Sequence, residues 1–483
     1  MYGFSFPKFD FFILSFFFLI PVLFVLEKNP RYSAFKILFL FSFPANLVIL
    51  YWIPNVMIEY GRMNIFIGIF GLTILSIFIS FFYALSGIFI RKSFTYGNIS
   101  LLLIPSIWIS KDLILGKIFG GFPWCFAGYS QYRNIFFIQT SELGGIYLIT
   151  FLIILINILI YRFIIKREKK ILFVLIFIIF LNYSTGFFLY LKNQRDESAI
   201  EIHHAGIIQP NTGQDFSYKK KWRKVTLQEL FIESEKLKEK GAEFIVWPEF
   251  TVSIYPLQNR SQLNSMLKFT DSVIPVFAGF TDFKNSEEIY NSMILFDRNK
   301  RIAKYDKTHL VPYGEYILFK DLLFFIKKIT NEISEFTPGE KIHNISFNNH
   351  SVSTPICYEL IYPELVREFI YKGGELILII SNDSWYGTSS APYQLLAMTV
   401  FRAIETRRYI LRSTSNGISS LIDSSGKIRI KIPLNIKSSI ITPFKYLKKK
   451  SFYVKYGYLF PYLGLIFTFA FFLIIKSFYH RIN

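Results

Sequence analysis

Hydrophobic positions are distributed unevenly along the chain. They crowd into the first 195 residues and roughly the last 30, while the stretch between alternates apolar and polar positions as a soluble α/β protein does. A helix crossing a ~30 Å hydrocarbon core needs roughly 20 apolar residues. Six runs of that kind come first, at 10–27, 36–54, 63–90, 98–115, 143–163 and 171–191, and a seventh lies at 457–476. The third is long enough to tilt or kink at Gly68, Gly71 or Gly87. Between 198 and 440 the period changes. Short apolar runs at Ala199–Gln209, Glu243–Pro248, Val273–Phe280, Asn291–Phe296, Ser351–Ile356, Leu376–Asn382 and Tyr409–Ser413 predict strands, and 218–240 and 391–408 predict helices. The pattern predicts a membrane domain of about six transmembrane helices at 1–195, a layered α/β domain at 196–445, and a final transmembrane helix with a cytoplasmic tail at 446–483.

Charge adds an orientation. The first, third and fifth connections hold Lys28, Arg31, Lys36, Arg91, Lys92, Arg162, Lys166, Arg167, Lys169 and Lys170, whereas the N-terminal tail and the other two hold Lys8, Arg62, Lys117 and Arg133. Positive loops stay in the cytoplasm, so the N-terminus and the α/β domain are expected outside. Lys445, Lys448, Lys449, Lys450 and Lys455 disagree in sign; a large domain crosses despite its charge, and these lysines suit anionic headgroups. The net charge of +20 is read in the same way. No zinc-finger spacing or RNA-binding aromatic motif points to nucleic acid, and none is expected as a partner.

The remaining composition mainly excludes. With 483 residues, 56 Phe and a mean hydropathy of +0.36, the chain is no ordinary soluble protein. Two cysteines, Cys125 and Cys357, make no disulfide framework, and six His form no ligand cluster, so neither metal nor cofactor is expected. The first apolar run continues into a multi-span pattern without a small-residue cleavage site, so no cleavable leader is expected.

Catalytic groups in α/β folds gather at the carboxyl ends of strands, and three local signals stand there. Ile245-Val246-Trp247-Pro248-Glu249 ends a strand in a carboxylate. Lys304 to Glu315 brings Lys307 and, eight residues on, Glu315. Thr354-Pro355-Ile356-Cys357-Tyr358-Glu359 ends a strand in a thiol ahead of a helix start at Pro363 and Glu364. A thiol at such an elbow is exposed and faces a helix dipole. Glu249 can serve it as base, and Lys307 with the backbone N–H of Tyr358 can hold an oxyanion. Each residue alone reads as structural: a buried thiol, a solvated strand-end acid, a surface lysine.

Together the motifs carry a resemblance. W-P-E at 247–249, K-x-H-L-V-P-Y-G-E at 307–315, I-C-Y-E at 356–359, S-N-D-S-W-Y-G at 381–387, R-A-I-E at 402–405 and S-N-G at 415–417 resemble the nitrilase superfamily. Spans on both sides and G-F-P-W-C-F-A-G-Y-S-Q at 121–131 resemble its membrane-embedded branch, the apolipoprotein N-acyltransferase family. The resemblance covers essentially the whole chain. It implies a multi-span α-helical membrane domain with a nitrilase-like αββα sandwich. Glu249 is then the general base, Lys307 the oxyanion stabiliser and Cys357 the nucleophile; Glu315 orients Lys307, Tyr358 and Glu359 support the site, and Trp222 contacts substrate.

The implied partners are a phospholipid acyl donor, a diacylated apolipoprotein acceptor and membrane lipids, at the bacterial inner membrane with catalysis on the periplasmic side. The family normally has eight spans, and Phe4-Ser5-Phe6-Pro7 resembles the loop before the second; its P-x-Q-H reads Pro392-Tyr393-Gln394-Leu395 here. The basic, apolar segment 316–336 is expected in the membrane interface. Rival readings are a membrane-tethered amidase of a small amide, a transporter with few interior charges beyond Lys111 and Asp112, and a lipid binder without turnover.

Overall fold

A computed structural model describes residues 1–59, 63–124, 126–212, 220–285, 287–316 and 335–482. Cys125, residues 317–334 of the expected interfacial segment, and the side chain of Trp222 lie outside the described residues. The chain divides into two compact units: residues 1–54, 66–192 and 451–483 form one, and 55–65 with 193–450 the other.

The first unit is helical. By length and composition, three stretches among the described residues can cross a membrane: Ile65–Leu115, Ser141–Lys166 and Lys169–Glu197. Ala34–Ile49 and Ile53–Glu59, bent by 47°, make a fourth if they form one span. Ile65–Leu115 would be about 75 Å of continuous helix, more than twice a hydrocarbon core. It divides at Gly97, whose φ is +60°, into Ile65–Ser93 and Ser100–Leu115, matching the third and fourth expected runs. Gly87 serves close approach: a Cβ there would stand 2.7 Å from the Ala34 carbonyl oxygen.

The first expected run, 10–27, is not one helix. It forms a 3-10 segment at Phe12–Phe16 and then a nine-residue helix, Ile20–Lys28. Buried side chains satisfy the backbone groups freed at the break. Asn157 Nδ2 donates to the Ser15 carbonyl at 2.8 Å, Asn157 Oδ1 accepts from Leu19 N–H at 3.0 Å, and Gln131 Nε2 donates to the Phe12 carbonyl at 2.9 Å. Irregular backbone in an apolar medium survives where protein supplies its partners. Lys111 and Asp112, both buried, pair at 2.5 Å, and the ammonium lies 3.4 Å from the centre of the Tyr83 ring.

The second unit holds two six-stranded mixed sheets. The first is ordered β12-β1-β2-β3-β4-β5, with β1 His203–Gln209, β2 Phe244–Val246, β3 Val276–Phe283, β4 Ile289–Phe296, β5 Ile302–Asp306 and β12 Ser438–Phe444. The second is ordered β11-β10-β9-β8-β7-β6, with β6 Ile345–Phe347, β7 His350–Ser353, β8 Leu376–Ser381, β9 Ile410–Thr414, β10 Ser419–Ile422 and β11 Ile428–Ile432. The sheets face one another: Phe244 and Phe277 meet Phe347 edge-on across the interface. Helices Lys220–Glu239 and Arg260–Ser272 cover the first sheet, burying Leu230, Leu237, Met266 and Phe269 against Ile245, Trp247 and Val276. Helices Pro363–Tyr371 and Ala391–Thr406 belong to the second half. Parallel pairing of β2 with β1 and β3, and of β8 with β7 and β9, aims several strand ends the same way.

Candidate active site

The carboxyl ends of β2, β5, β7 and β8 bring Glu249, Lys307, Cys357 and Ser381 together. Glu249 follows β2 after Trp247 and Pro248. Trp247 Nε1 donates to Ser234 Oγ at 3.1 Å, and the Glu249 carbonyl accepts from Ser415 Oγ at 3.2 Å. Gly279 allows this approach, since a Cβ there would stand 2.7 Å from Glu249 Cα. Lys307 directly follows β5. Cys357 heads a 3-10 turn, Cys357–Ile361, and is buried there rather than exposed as the elbow predicts; its φ of +50° is a left-handed conformation that non-glycine residues adopt only when their surroundings impose it.

The charged groups are buried and interlocked. Lys307 Nζ lies 2.9 Å from Glu315 Oε1 and 3.8 Å from Glu249 Oε1. Asn291, on β4, bridges the two carboxylates: its Nδ2 donates to Glu249 Oε1 at 2.7 Å and to Glu315 Oε1 at 2.8 Å. The Asn382 N–H donates to Glu249 Oε2 at 2.8 Å, and the Val311 N–H to Glu315 Oε2 at 2.7 Å. Burial acts to lower the Lys307 pKa, but the Glu315 and Glu249 carboxylates outweigh it, so the ammonium stays charged. Burial raises Glu249 above the usual carboxylate range; Lys307 opposes that and Glu315 adds to it. Burial also pushes the Cys357 thiol up, as does Glu249, against the pull of Lys307. Sulfur therefore rests as a protonated thiol and needs a base, the role a carboxylate with a raised pKa suits.

Glu359 is wholly buried and takes its partners from β5, the loop that follows it and the residue before Cys357. Its Oε1 accepts from Tyr305 Oη at 2.7 Å, Thr308 N–H at 2.8 Å, Thr308 Oγ1 at 2.9 Å and His309 N–H at 3.1 Å; its Oε2 accepts from Ile356 N–H at 2.7 Å. It thus ties the residues after Lys307 to the residue before Cys357. Tyr358 is buried near the rings of His309 and Tyr362. Trp222 falls in the helix Lys220–Glu239. Among the described residues, no group of three or more His, Cys, Asp or Glu could hold a metal ion. Sequence reasoning missed Asn291, Asn382, Ser381, Asp383 and Arg412. The signal for Asn291 was there: it is an amide within the buried run that makes β4.

Residues 204–443 match the family model described as carbon-nitrogen hydrolase, so the two-sheet unit is a nitrilase-like domain. An amidase of the nitrilase superfamily from Nesterenkonia AN1, a solved structure, is 15% identical with a TM-score of 0.41, covering 52% of this chain and 93% of its own. The model described as apolipoprotein N-acyltransferase N-terminal domain matches residues 1–159. A protein named apolipoprotein N-acyltransferase from Geobacter metallireducens is 30% identical over 450 residues, 89% of this chain and 84% of that protein. One of the same name from Aquifex aeolicus is 27% identical over 431 residues, 88% and 92% of the two chains. The chain belongs to the apolipoprotein N-acyltransferase family, and its apolar helices make it a membrane protein.

Proposed function

We propose that the protein transfers a fatty acyl chain from a membrane phospholipid, through a thioester on Cys357, to the N-terminal amine of a diacylglyceryl-cysteine apolipoprotein. One observation carries the reading: a buried thiol at a strained elbow shares its site with a carboxylate and an ammonium, in a member of this family.

Glu249 takes the Cys357 proton as sulfur attacks the ester carbonyl. Lys307 holds the oxyanion, and collapse expels a lysophospholipid, which takes the proton from Glu249. The acceptor amine then attacks the thioester and loses a proton to Glu249, and the thiolate leaves and is reprotonated. A thioester is activated toward an amine, so two easier steps replace one hard one. Glu315 holds Lys307, Tyr358 and Glu359 support the site, and Trp222 contacts substrate. The excess of positive residues in the odd-numbered connections supports a bacterial inner-membrane protein with its catalytic domain, 196–445, on the periplasmic side between the helical segments 1–195 and 446–483.

The test is to incubate the detergent-purified protein with phospholipid carrying a labelled acyl chain, denature it, and read Cys357 by peptide mass. Label that hydroxylamine releases, that Cys357→Ala lacks, and that passes to a diacylated lipopeptide is expected. No acyl-Cys357, with turnover of a small amide instead, sinks the reading in favour of a tethered amidase.

A further inference from the structure

One chain of buried polar groups is not used by the Glu–Lys–Cys chemistry. Arg412, Asp383 and Ser381 are all inaccessible to solvent. Arg412 Nη2 donates to Asp383 Oδ1 at 3.0 Å and Oδ2 at 2.7 Å, and its Nη1 donates to the Ile418 carbonyl at 2.7 Å. Ser381 Oγ lies 2.6 Å from Asp383 Oδ1 and 3.2 Å from Cys357 Sγ. Space is kept for the carboxylate: a Cβ on Gly417 would stand 2.0 Å from Asp383 Oδ2.

A hydroxyl has one proton and two lone pairs, so Ser381 donates to one of its two neighbours at a time. A hydrogen bond to a carboxylate is roughly twice as strong as one to a neutral acceptor. Beside a protonated thiol, the Ser381 proton therefore points at Asp383. When sulfur becomes an anion, rotation about the Cβ–Oγ bond turns the proton to it, and no heavy atom moves.

We propose that Ser381, held by the Arg412–Asp383 pair, is a positioning residue for the nucleophile. Its hydroxyl turns from Asp383 Oδ1 to Cys357 Sγ when the thiol is deprotonated, and steadies the thiolate both on activation and when it departs from the thioester. In that step the S–H bond breaks, the proton goes to the Glu249 carboxylate, the electron pair stays on sulfur, and the Ser381 O–H bond remains intact. Arg412 balances the charge on Asp383, so that carboxylate can orient Ser381 at reduced cost to the thiolate. The other charged or titratable groups acting on sulfur are Glu249, Lys307 and Tyr386. The proposal rests on reading Cys357 as the nucleophile.

The test is alkylation of the full-length protein in detergent with iodoacetamide across a pH series, with the adduct at Cys357 measured by peptide mass so that Cys125 is scored separately. Ser381→Ala is expected to move the midpoint up by about one pH unit, slowing alkylation about 10-fold below it, while Ser381→Thr stays within about twofold of the parent. An alanine profile that superimposes on the parent's overturns the proposal. If the alanine variant loses its melting transition, Ser381→Val is compared with Ser381→Thr, which differ only in the hydroxyl. A valine midpoint above the threonine one supports the proposal, and coincident midpoints overturn it. Alkylation needs no acyl substrate, so a shift seen in a chain that never forms acyl-Cys357 would sink the acyl-transfer reading and leave the Ser381 contact standing.

Discussion

The ammonium of Lys307 sits 2.9 Å from Glu315 and 3.8 Å from the nearer oxygen of Glu249. The closer pairing leaves Glu249 freer to accept a proton. In Glu315→Gln the charge that holds Lys307 is gone, and the ammonium turns toward Glu249, weakening it as a base. Acyl transfer to a lipopeptide is expected to fall roughly 100-fold in kcat. A variant within threefold of the parent would show that Glu315 does not position Lys307.

Asn291 donates to both carboxylates, so its replacement changes how they titrate. As the proposed base, Glu249 must be ionised, and burial has already raised its pKa above the ordinary value. Activity therefore falls as pH drops through that raised value. Asn291→Asp removes a donor and adds a like charge, and both changes favour the protonated form. The acid limb of kcat/KM is expected to move to higher pH; a limb that stays or moves to lower pH would refute the assignment of Glu249 as the base.

Glu359 accepts at both oxygens, which glutamine cannot do. In either orientation of the amide of Glu359→Gln, its NH₂ meets an N–H donor from Ile356 or from the Thr308–His309 loop. A loss of about 1–3 kcal/mol is expected, or a melting point lower by roughly 3–10 °C for a domain of this size. Unchanged melting would mean that the two loops are held by something else.

In the helical unit, Asn157→Leu strips partners from the Ser15 carbonyl and the Leu19 N–H. The expected destabilisation in detergent is about 1 kcal/mol, in the range of polar contacts within membrane bundles. It is read as a melting point lowered relative to a surface control such as Phe173→Leu.

Two strand ends were legible in the sequence because apolar runs stop abruptly there: Glu249 and Cys357 stand three and four residues past β2 and β7. β5, β6, β10, β11 and β12 were not legible. Their Ser, Lys and Arg positions dilute the apolar signal, as in Ile428-Arg429-Ile430-Lys431-Ile432, although that strict alternation is itself a strand pattern. Ser381 and Asp383 lay within a motif whose spelling was plain, but nothing local showed that Arg412, on another strand, would neutralise one and that Cys357 would meet the other. Hydropathy also misread 10–27. It measures composition, whereas the break there is fixed by amides at 131 and 157, far along the chain.

Synthesis at about 5–20 residues per second separates Leu19 from Asn157 by roughly 7–28 seconds. Until the later segment has been made, the carbonyl and N–H at the early break have no protein partner, and the amino-terminal run must wait as a continuous helix or outside the hydrocarbon. The native entry segment is therefore a late product of assembly, settled from behind by a helix that follows it into the membrane.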